Sequence, residues 1–240
     1  MANIDFDQIY QTTLAHYKQA KDNIPEKRTF FEHSDAISNV IPGFDAEKLE
    51  FGSFAQENYA VLFVDMRQST QRAQNVGAEK TFLTMHILLT ALLEVVKYHH
   101  GKVIDIMGDG LMVFWGGSSA REKENMSKSF AAQEAGICGR DMLIVRERVI
   151  NSIISAEKLG PQINIGVGVT FDSVIVTKIG IPSSYDVKAF GDCINLASKY
   201  SSNNYNQVKV SKKIKDLWPK SSGGTISFKP VAGEDAYILN

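Results

Sequence analysis

The sequence has few cysteines and almost no net charge, and each shortage argues against a class of protein. Cys138 and Cys193 are its two cysteines, and neither has a partner motif. Nothing therefore favours a disulfide-stapled secreted domain, and reduced intracellular thiols are expected. The formal net charge is -1 over 240 residues, so no global basic field indicates nucleic-acid binding.

Long hydrophobic runs are also missing. The longest apolar stretch lies near 86–96, well short of the roughly 20 residues that span a bilayer. The first residues carry no basic and apolar signal pattern. Hydrophobic residues make up 44% and charged residues 22% of the chain, as in ordinary globular proteins. We expect a cytoplasmic protein without membrane insertion.

The chain divides into a short N-terminal helical appendage, 1–50, and a larger domain, 51–240. Apolar residues near helical spacing predict an amphipathic helix over 5–22, and a weaker helical pattern covers about 26–40. Pro42 and Gly43 then break the chain. The appendage carries no catalytic pattern and is expected to cap or dimerise the core.

The larger domain begins with the order strand, helix, strand, strand, helix, strand. These elements are predicted at 59–65, 78–99, 102–107, 111–115, 120–158 and 162–170, with a break near 136–139 in the second helix. A helix at 192–200 and further strands at 173–179, 185–190, 207–210, 225–229 and 236–239 follow. The order is that of a ferredoxin-like βαββαβ core in an α+β sandwich. We expect the first strand to lie beside the second, in the middle of an antiparallel sheet, so that Asp65 faces Asp109.

Two aspartates stand at the ends of apolar strands. Asp65 ends the first strand, and Asp109 sits in a Gly-Asp-Gly turn between the second and third. Alone, Asp109 is explained by turn chemistry. Together, two carboxylates completed by waters and substrate phosphates form the usual site for Mg²⁺ or Mn²⁺. Such ions activate an attacking hydroxyl and stabilise leaving oxygens.

The residues after Asp65 predict a phosphate contact. A helical turn that starts there would point free N–H groups at the metal site, and helix N-termini bind phosphate. Ser69 and Thr70 would add hydroxyl donors. The alternative is that Asp65 is a helix N-cap followed by surface Ser and Thr.

Four segments, in order, resemble the motifs of class III nucleotidyl cyclases. They are 63–70 with the first metal aspartate, 101–110 with the second, 163–169 with the strand that follows, and 185–198 with the transition-state asparagine. The resemblance spans about 59–202 and leaves the first 50 residues outside. The run from Asp65 to Thr70 is most similar to the pyrimidine cyclases of bacterial Pycsar antiphage systems.

The resemblance implies a head-to-tail homodimer with active sites at the interface. One subunit would hold two Mn²⁺ or Mg²⁺ ions through Asp65, Asp109 and the Met66 carbonyl, and the other would supply the catalytic residues Asn195 and Lys199. The 3′-hydroxyl of a nucleoside triphosphate would attack the α-phosphate in line and expel pyrophosphate, which requires positioning and charge stabilisation. The implied nucleotide-binding residues are Phe63, Arg67, Gln68, Ser69, Thr70, Asp105 and Lys188.

Two positions are implied to read the base. Adenylate cyclases have a lysine and guanylate cyclases a glutamate where this chain has Asp105, and the partner position is Lys188 instead of Asp, Thr or Cys. This pair argues against the usual adenine recognition, because the acid and the amine have exchanged places. It fits the N3–H and a carbonyl of uracil, and in other poses guanine or cytosine. A simple Asp105–Lys188 ion pair is the structural alternative.

The chain departs from the family pattern at three cationic positions. The transition-state arginine is Lys199, which lacks the bidentate fork of a guanidinium. A phosphate-binding arginine is replaced by Asn164, and a late lysine by Ala232. Arg67, Lys188, Lys199 or Lys229 would have to compensate.

These observations predict cyclisation of UTP to 3′,5′-cyclic UMP, a second messenger made during phage infection that reaches a separate effector. Cytidylate and guanylate cyclases are the alternatives among enzymes. A cyclase-like module that binds nucleotide without catalysis is the alternative from another class. The three departures favour it, and the intact Asp65, Asp109 and Asn195 oppose it.

Overall fold

The computed structural model describes residues 4–24, 50–117, 127–181, 184–220 and 225–240. The predicted helical segment at 26–40, the break at Pro42 and Gly43, and residues 118–126 at the start of the second core helix lie outside these ranges.

The described residues form an α+β fold, as predicted. The helices are α1 (Phe6–Asn23), α2 (Ser69–Val76), α3 (Ala78–Tyr98), α4 (Lys128–Val145), α5 (Asn151–Ala156), α6 (Asp192–Ser202) and α7 (Lys212–Leu217). The strands are β1 (Phe54–Met66), β2 (Lys102–Met107), β3 (Gly110–Gly116), β4 (Ile165–Ile181), β5 (Ser184–Phe190), β6 (Val208–Ser211), β7 (Phe228–Pro230) and β8 (Ala236–Leu239).

The strands form one sheet in the order β2-β3-β1-β4-β6-β8-β7, and β5, which is not on this path, pairs with β4. Strand β1 pairs antiparallel with β3 and β4, and β4 pairs parallel with β6. The prediction that the first strand lies beside the second was therefore wrong, because β3 separates them. Its consequence still holds, since β3 begins at the turn that contains Asp109 and runs back along β1.

The two faces of the sheet bury separate apolar clusters. Alternate residues of β1, among them Leu62 and Val64, join the main core under α1, α3 and α4, while Val61 and Phe63 face the opposite side with residues of β5 and α6. This alternation follows from the two-residue period of a strand. It places Asp65 on the same face as Phe63, toward α6.

Helix α3 is long and apolar enough to cross a membrane by length and composition. The apolar segment is therefore longer than the predicted 86–96. In this fold its buried stripe, which includes Ile87, Leu88 and Leu92, belongs to the main core. Helix α1 packs on α3 and contributes Ile9 and Tyr17 to that core. The first part of the predicted appendage is thus built into the hydrophobic core.

The predicted break near 136–139 is absent from the described helix α4. Gly136 and Gly139 lie inside it because neighbouring groups approach closely: an added Cβ would meet the Trp218 ring at 2.6 Å and Val167 at 3.0 Å, respectively. The irregularity comes later, in a π-helical turn at Arg146–Ile150. The two strands predicted at 162–170 and 173–179 are one strand, β4.

Candidate active site

Asp65 lies between two glycines of the neighbouring strands. It pairs with Gly110 of β3 and Gly166 of β4, and the Met66 N–H donates to the Asp109 carbonyl across 3.2 Å. A Cβ on Gly110 would lie 2.5 Å from the Val64 carbonyl oxygen, so only glycine permits this approach. The end of β1 is therefore held against the Asp109 turn, as predicted. The Asp65 side chain is 35% exposed and accessible to a ligand.

Arg67 lies beside the two aspartates. Its guanidinium donates to the Asp65 carboxylate and, through Nη1, to the Ser202 carbonyl oxygen at 2.5 Å at the end of α6. Burial lowers the pKa of Arg67, and the charge of Asp109 opposes that shift. Among the residues that the structure describes, Arg67 Nε is buried without a hydrogen-bond partner.

A helix begins where the segment after Asp65 predicted one. Gln68 is its N-cap, in a left-handed conformation with φ 58° and ψ 33°, and makes no side-chain cap. The alternative of an Asp65 N-cap was therefore wrong. Helix α2 starts at Ser69, which is half-buried, while Gln68 and Thr70 are exposed.

Helix α6 packs closely on β4 because two glycines leave room for its backbone. An added Cβ would lie 2.0 Å from the Ser201 carbonyl oxygen at Gly166, and 2.0 Å from the Ala197 carbonyl oxygen at Gly168. The contact brings the C-terminal end of α6 toward Asp65. It explains the alternating Gly-Val pattern of this strand, which hydrophobic periodicity alone does not.

Asn195 and Lys199 are exposed on α6, four residues apart and so on one face of the helix. Both line a groove of about 690 Å³ whose walls also include Asp172, Tyr200 and Lys213. Of the described residues that line this groove, none is a predicted metal ligand. The predicted metal half and the predicted transition-state half thus open in different places on one chain.

In one subunit, Lys188 of the predicted base-reading pair binds a carboxylate other than that of Asp105. Lys188 Nζ binds Asp186 Oδ2 at 2.6 Å. This hydrogen bond raises the pKa of Lys188 against the effect of burial, and the charge of Asp105 adds to the rise. Within the described ranges no Asp105–Lys188 ion pair forms, so that alternative was wrong. Asp105 follows a bulge in β2 and is half-buried.

Phe63 is buried, 7% exposed, on the same face of β1 as Asp65. It belongs to the second apolar cluster with Cys193 and Ala197 of α6. A core role accounts for this environment, and a contact with ribose or base stays a prediction.

Asn164 is occupied by neighbours. Its side-chain oxygen accepts from Arg146 at 3.2 Å and from Asn206 at 2.7 Å, and its backbone carbonyl accepts from the Arg67 N–H at 2.8 Å. Arg146 lies in the π-helical turn, 18 residues before Asn164. No sequence motif indicated that this arginine would reach the residue just before the start of β4.

The family model of the adenylate and guanylate cyclase catalytic domain matches residues 53–233. The chain belongs to this family. Such domains bind nucleoside triphosphates and generally depend on divalent metal ions. The prediction of a nucleotide cyclase domain is confirmed.

Two cytidylate cyclases of Escherichia coli are similar to this cyclase domain. One is 23% identical over 243 residues, covering 98% of this chain and 49% of that protein. The other is 24% identical over 180 residues, covering 72% and 38%. The domain thus spans about half of these relatives or less.

The adenylyl cyclase CyaB from P. aeruginosa has a similar structure, with a TM-score of 0.64 and 20% identity over 78% of this chain and 93% of that one. At this identity the likeness shows the fold. The predicted fold class is confirmed.

The oxygen donors at the end of β1 and in the Asp109 turn fit a hard divalent cation. The described residues contain no cluster of three or more His, Cys, Asp or Glu side chains placed to hold a metal. A site made of Asp65, Asp109 and the Met66 carbonyl would therefore leave positions for water and phosphate oxygens. That donor set is typical of Mg²⁺ in phosphate chemistry.

Proposed function

We propose that this cyclase domain converts UTP to 3′,5′-cyclic UMP and pyrophosphate. The observation that carries the proposal is the pairing of Asp65 with Gly110, which brings the end of β1 to the Asp109 turn. Family membership supplies the reaction class, and the Asp105 and Lys188 positions support a base other than adenine.

The proposed roles follow from the chemistry of each group. Asp65, Asp109 and the Met66 carbonyl would hold two Mn²⁺ or Mg²⁺ ions, and these ions would supply Lewis-acid activation of the 3′-hydroxyl. The 3′-oxygen forms a bond to the α-phosphorus, the α–β bridging bond breaks, the hydroxyl proton passes to water and pyrophosphate leaves. Asn195 orients the ribose and phosphoryl group, and Lys199 neutralises charge that develops on the phosphate.

The active site is proposed to require two copies of the chain. Asn195 and Lys199 face a groove that is separate from Asp65. A head-to-tail homodimer would bring the groove of one copy to Asp65 and the Asp109 turn of the other. This would occur twice per dimer, because a two-fold axis repeats every contact. Asp105 and Lys188 would enter with Asn195.

The proposed base-reading pair, Asp105 and Lys188, offers a hydrogen-bond acceptor and a donor. The Asp105 carboxylate would accept the N3–H of uracil, and the Lys188 ammonium would donate to a ring carbonyl while Asp186 holds it in place. Phe63, Gln68, Ser69 and Thr70 are proposed to complete the nucleotide site on the metal side.

CTP is the second candidate, and a specific observation favours it: both relatives described above are cytidylate cyclases. Cytosine presents an amino donor and ring acceptors to the same acid and amine. In either case we place the enzyme in the cytoplasm, in Pycsar-type antiphage defence. Its cyclic nucleotide would act on a separate effector.

The function is tested by incubating the purified protein with each of the four ribonucleoside triphosphates and Mn²⁺, followed by mass spectrometry of the products. Cyclic UMP is expected to dominate. Dominant cyclic CMP would select the second candidate, and cyclic GMP would show a guanylate cyclase. Cyclic AMP as the main product would refute a pyrimidine cyclase. Nucleotide binding without pyrophosphate release would indicate an inactive module.

A further inference from the structure

Arg67 and a divalent cation require the same carboxylate. The guanidinium donates to Asp65, which is the proposed metal ligand at the end of β1. The guanidinium occupies Oδ2 of that carboxylate. A metal that binds Oδ2 must displace the guanidinium, and a metal that binds Oδ1 alone is repelled by its positive charge, so in either case the ion pair weakens metal binding.

The release of Arg67 would leave two donors aimed at the same place. Nη1 remains anchored on the Ser202 carbonyl oxygen at 2.5 Å. Nε is buried without a hydrogen-bond partner in the described structure, and the Arg67 side chain as a whole is only 10% exposed. A buried unpaired donor is unfavourable, and an anionic oxygen would satisfy it together with the freed Nη2.

From this geometry we infer that Arg67 competes with the metal for Asp65, and that its guanidinium forms an ion pair with the triphosphate once the metal has bound. The inference rests on the proposed function, since it takes Asp65 as a metal ligand. It predicts two opposite effects of one side chain: Arg67 weakens metal binding in the absence of nucleotide and strengthens nucleotide binding in the presence of metal.

Arg67→Gln separates these effects. In the absence of nucleotide, Mn²⁺ binding followed by electron paramagnetic resonance should tighten by about ten-fold, because Asp65 is no longer ion-paired. At saturating Mn²⁺, binding of 3′-deoxyuridine triphosphate, which cannot cyclise, should weaken by about ten-fold. Its cytidine counterpart is measured in parallel. Arg67→Lys, which keeps the charge, should shift both affinities less.

The matched control is Arg148→Gln, because Arg148 is exposed and stacks on Phe6 at 5.1 Å. It should leave both affinities unchanged. Unchanged or weaker Mn²⁺ binding in a folded Arg67→Gln protein would overturn the inference. If Asp65→Asn also leaves Mn²⁺ binding unchanged, the metal assignment itself fails; if Asp65→Asn abolishes binding, only the role of Arg67 is refuted.

Discussion

The Met66 N–H donates to the carbonyl oxygen of Asp109 across 3.2 Å, which joins the end of β1 to the β2–β3 turn. This one backbone contact places the two aspartates of the proposed metal site on neighbouring chain segments. Gly110 makes it feasible, since any side chain there would collide with the Val64 carbonyl.

Replacing either aspartate by asparagine is expected to remove activity and to leave the fold intact. Asp65→Asn and Asp109→Asn keep side-chain volume but weaken the hard oxygen donors. Product formation should fall by about 10²–10³-fold or more, as for other losses of preorganised charge stabilisation. Glu79→Gln, at an exposed position in α3, is the control. An aspartate variant that kept wild-type turnover would refute the metal assignment.

Substitutions in the base-reading pair should alter nucleotide specificity and leave metal binding unchanged. Asp105→Asn and Lys188→Met are each expected to lower kcat/KM for the preferred nucleotide by about 10–100-fold, since each removes a proposed hydrogen-bonding partner of the base. Mn²⁺ dependence should stay unchanged. Lys102→Met, at an exposed lysine that begins β2, serves as control. Unaltered kcat/KM ratios among the four nucleotides would show that these residues do not read the base.

His99 is expected to make the stability of the fold depend on pH. Its Nδ1 and Nε2 contact Glu134 and Asp141, each at 2.8 Å. Burial lowers the pKa of His99, but these two carboxylates outweigh it and raise the pKa from 6.5 to about 9. Because the folded-state pKa is raised, the stabilisation is complete below pH 6.5 and is lost as the pH rises through 9. It amounts to about 3 kcal/mol at most.

Thermal unfolding of His99→Gln from pH 6 to pH 10 checks this prediction. The difference in unfolding free energy from wild type should be largest at pH 6 and should shrink toward pH 10. His16→Gln, at an exposed position in α1, should show no such trend. A destabilisation by His99→Gln that is the same at every pH would contradict the charged state of His99.

Local patterns in the sequence predicted the elements that carry the proposed site. The apolar run that ends at Asp65 became β1, the Gly-Asp-Gly turn joined β2 to β3, and the helix after Gly191 became α6. These features depend on neighbours within a few residues, where hydrophobic period and turn chemistry dominate. Family resemblance added the reaction class.

Long-range contacts were not predictable in the same way. His99 is separated from Glu134 and Asp141 by 35 and 42 residues, and nothing local marks the three as partners. The strand beside β1 was wrongly assigned because strand order is decided by packing over the whole sheet. The ion pair of Arg67 with Asp65, in contrast, joins residues only two positions apart. It was missed because the alternating pattern of a strand does not predict how the chain turns after the strand ends, and that turn brings the two side chains together.

The most direct test of a shared cyclase site is complementation between two inactive variants. Asp65→Asn and Asn195→Ala damage different halves, so a mixed dimer keeps one intact site. Co-expression of the two in equal amounts, each with its own affinity tag, should restore about a quarter of wild-type activity, because half of the dimers are mixed and each has one site of two. Co-expression of Asp65→Asn with Asp109→Asn, which damage the same half, should restore none. Mixed dimers of the first pair that form product no faster than either parent would contradict the account.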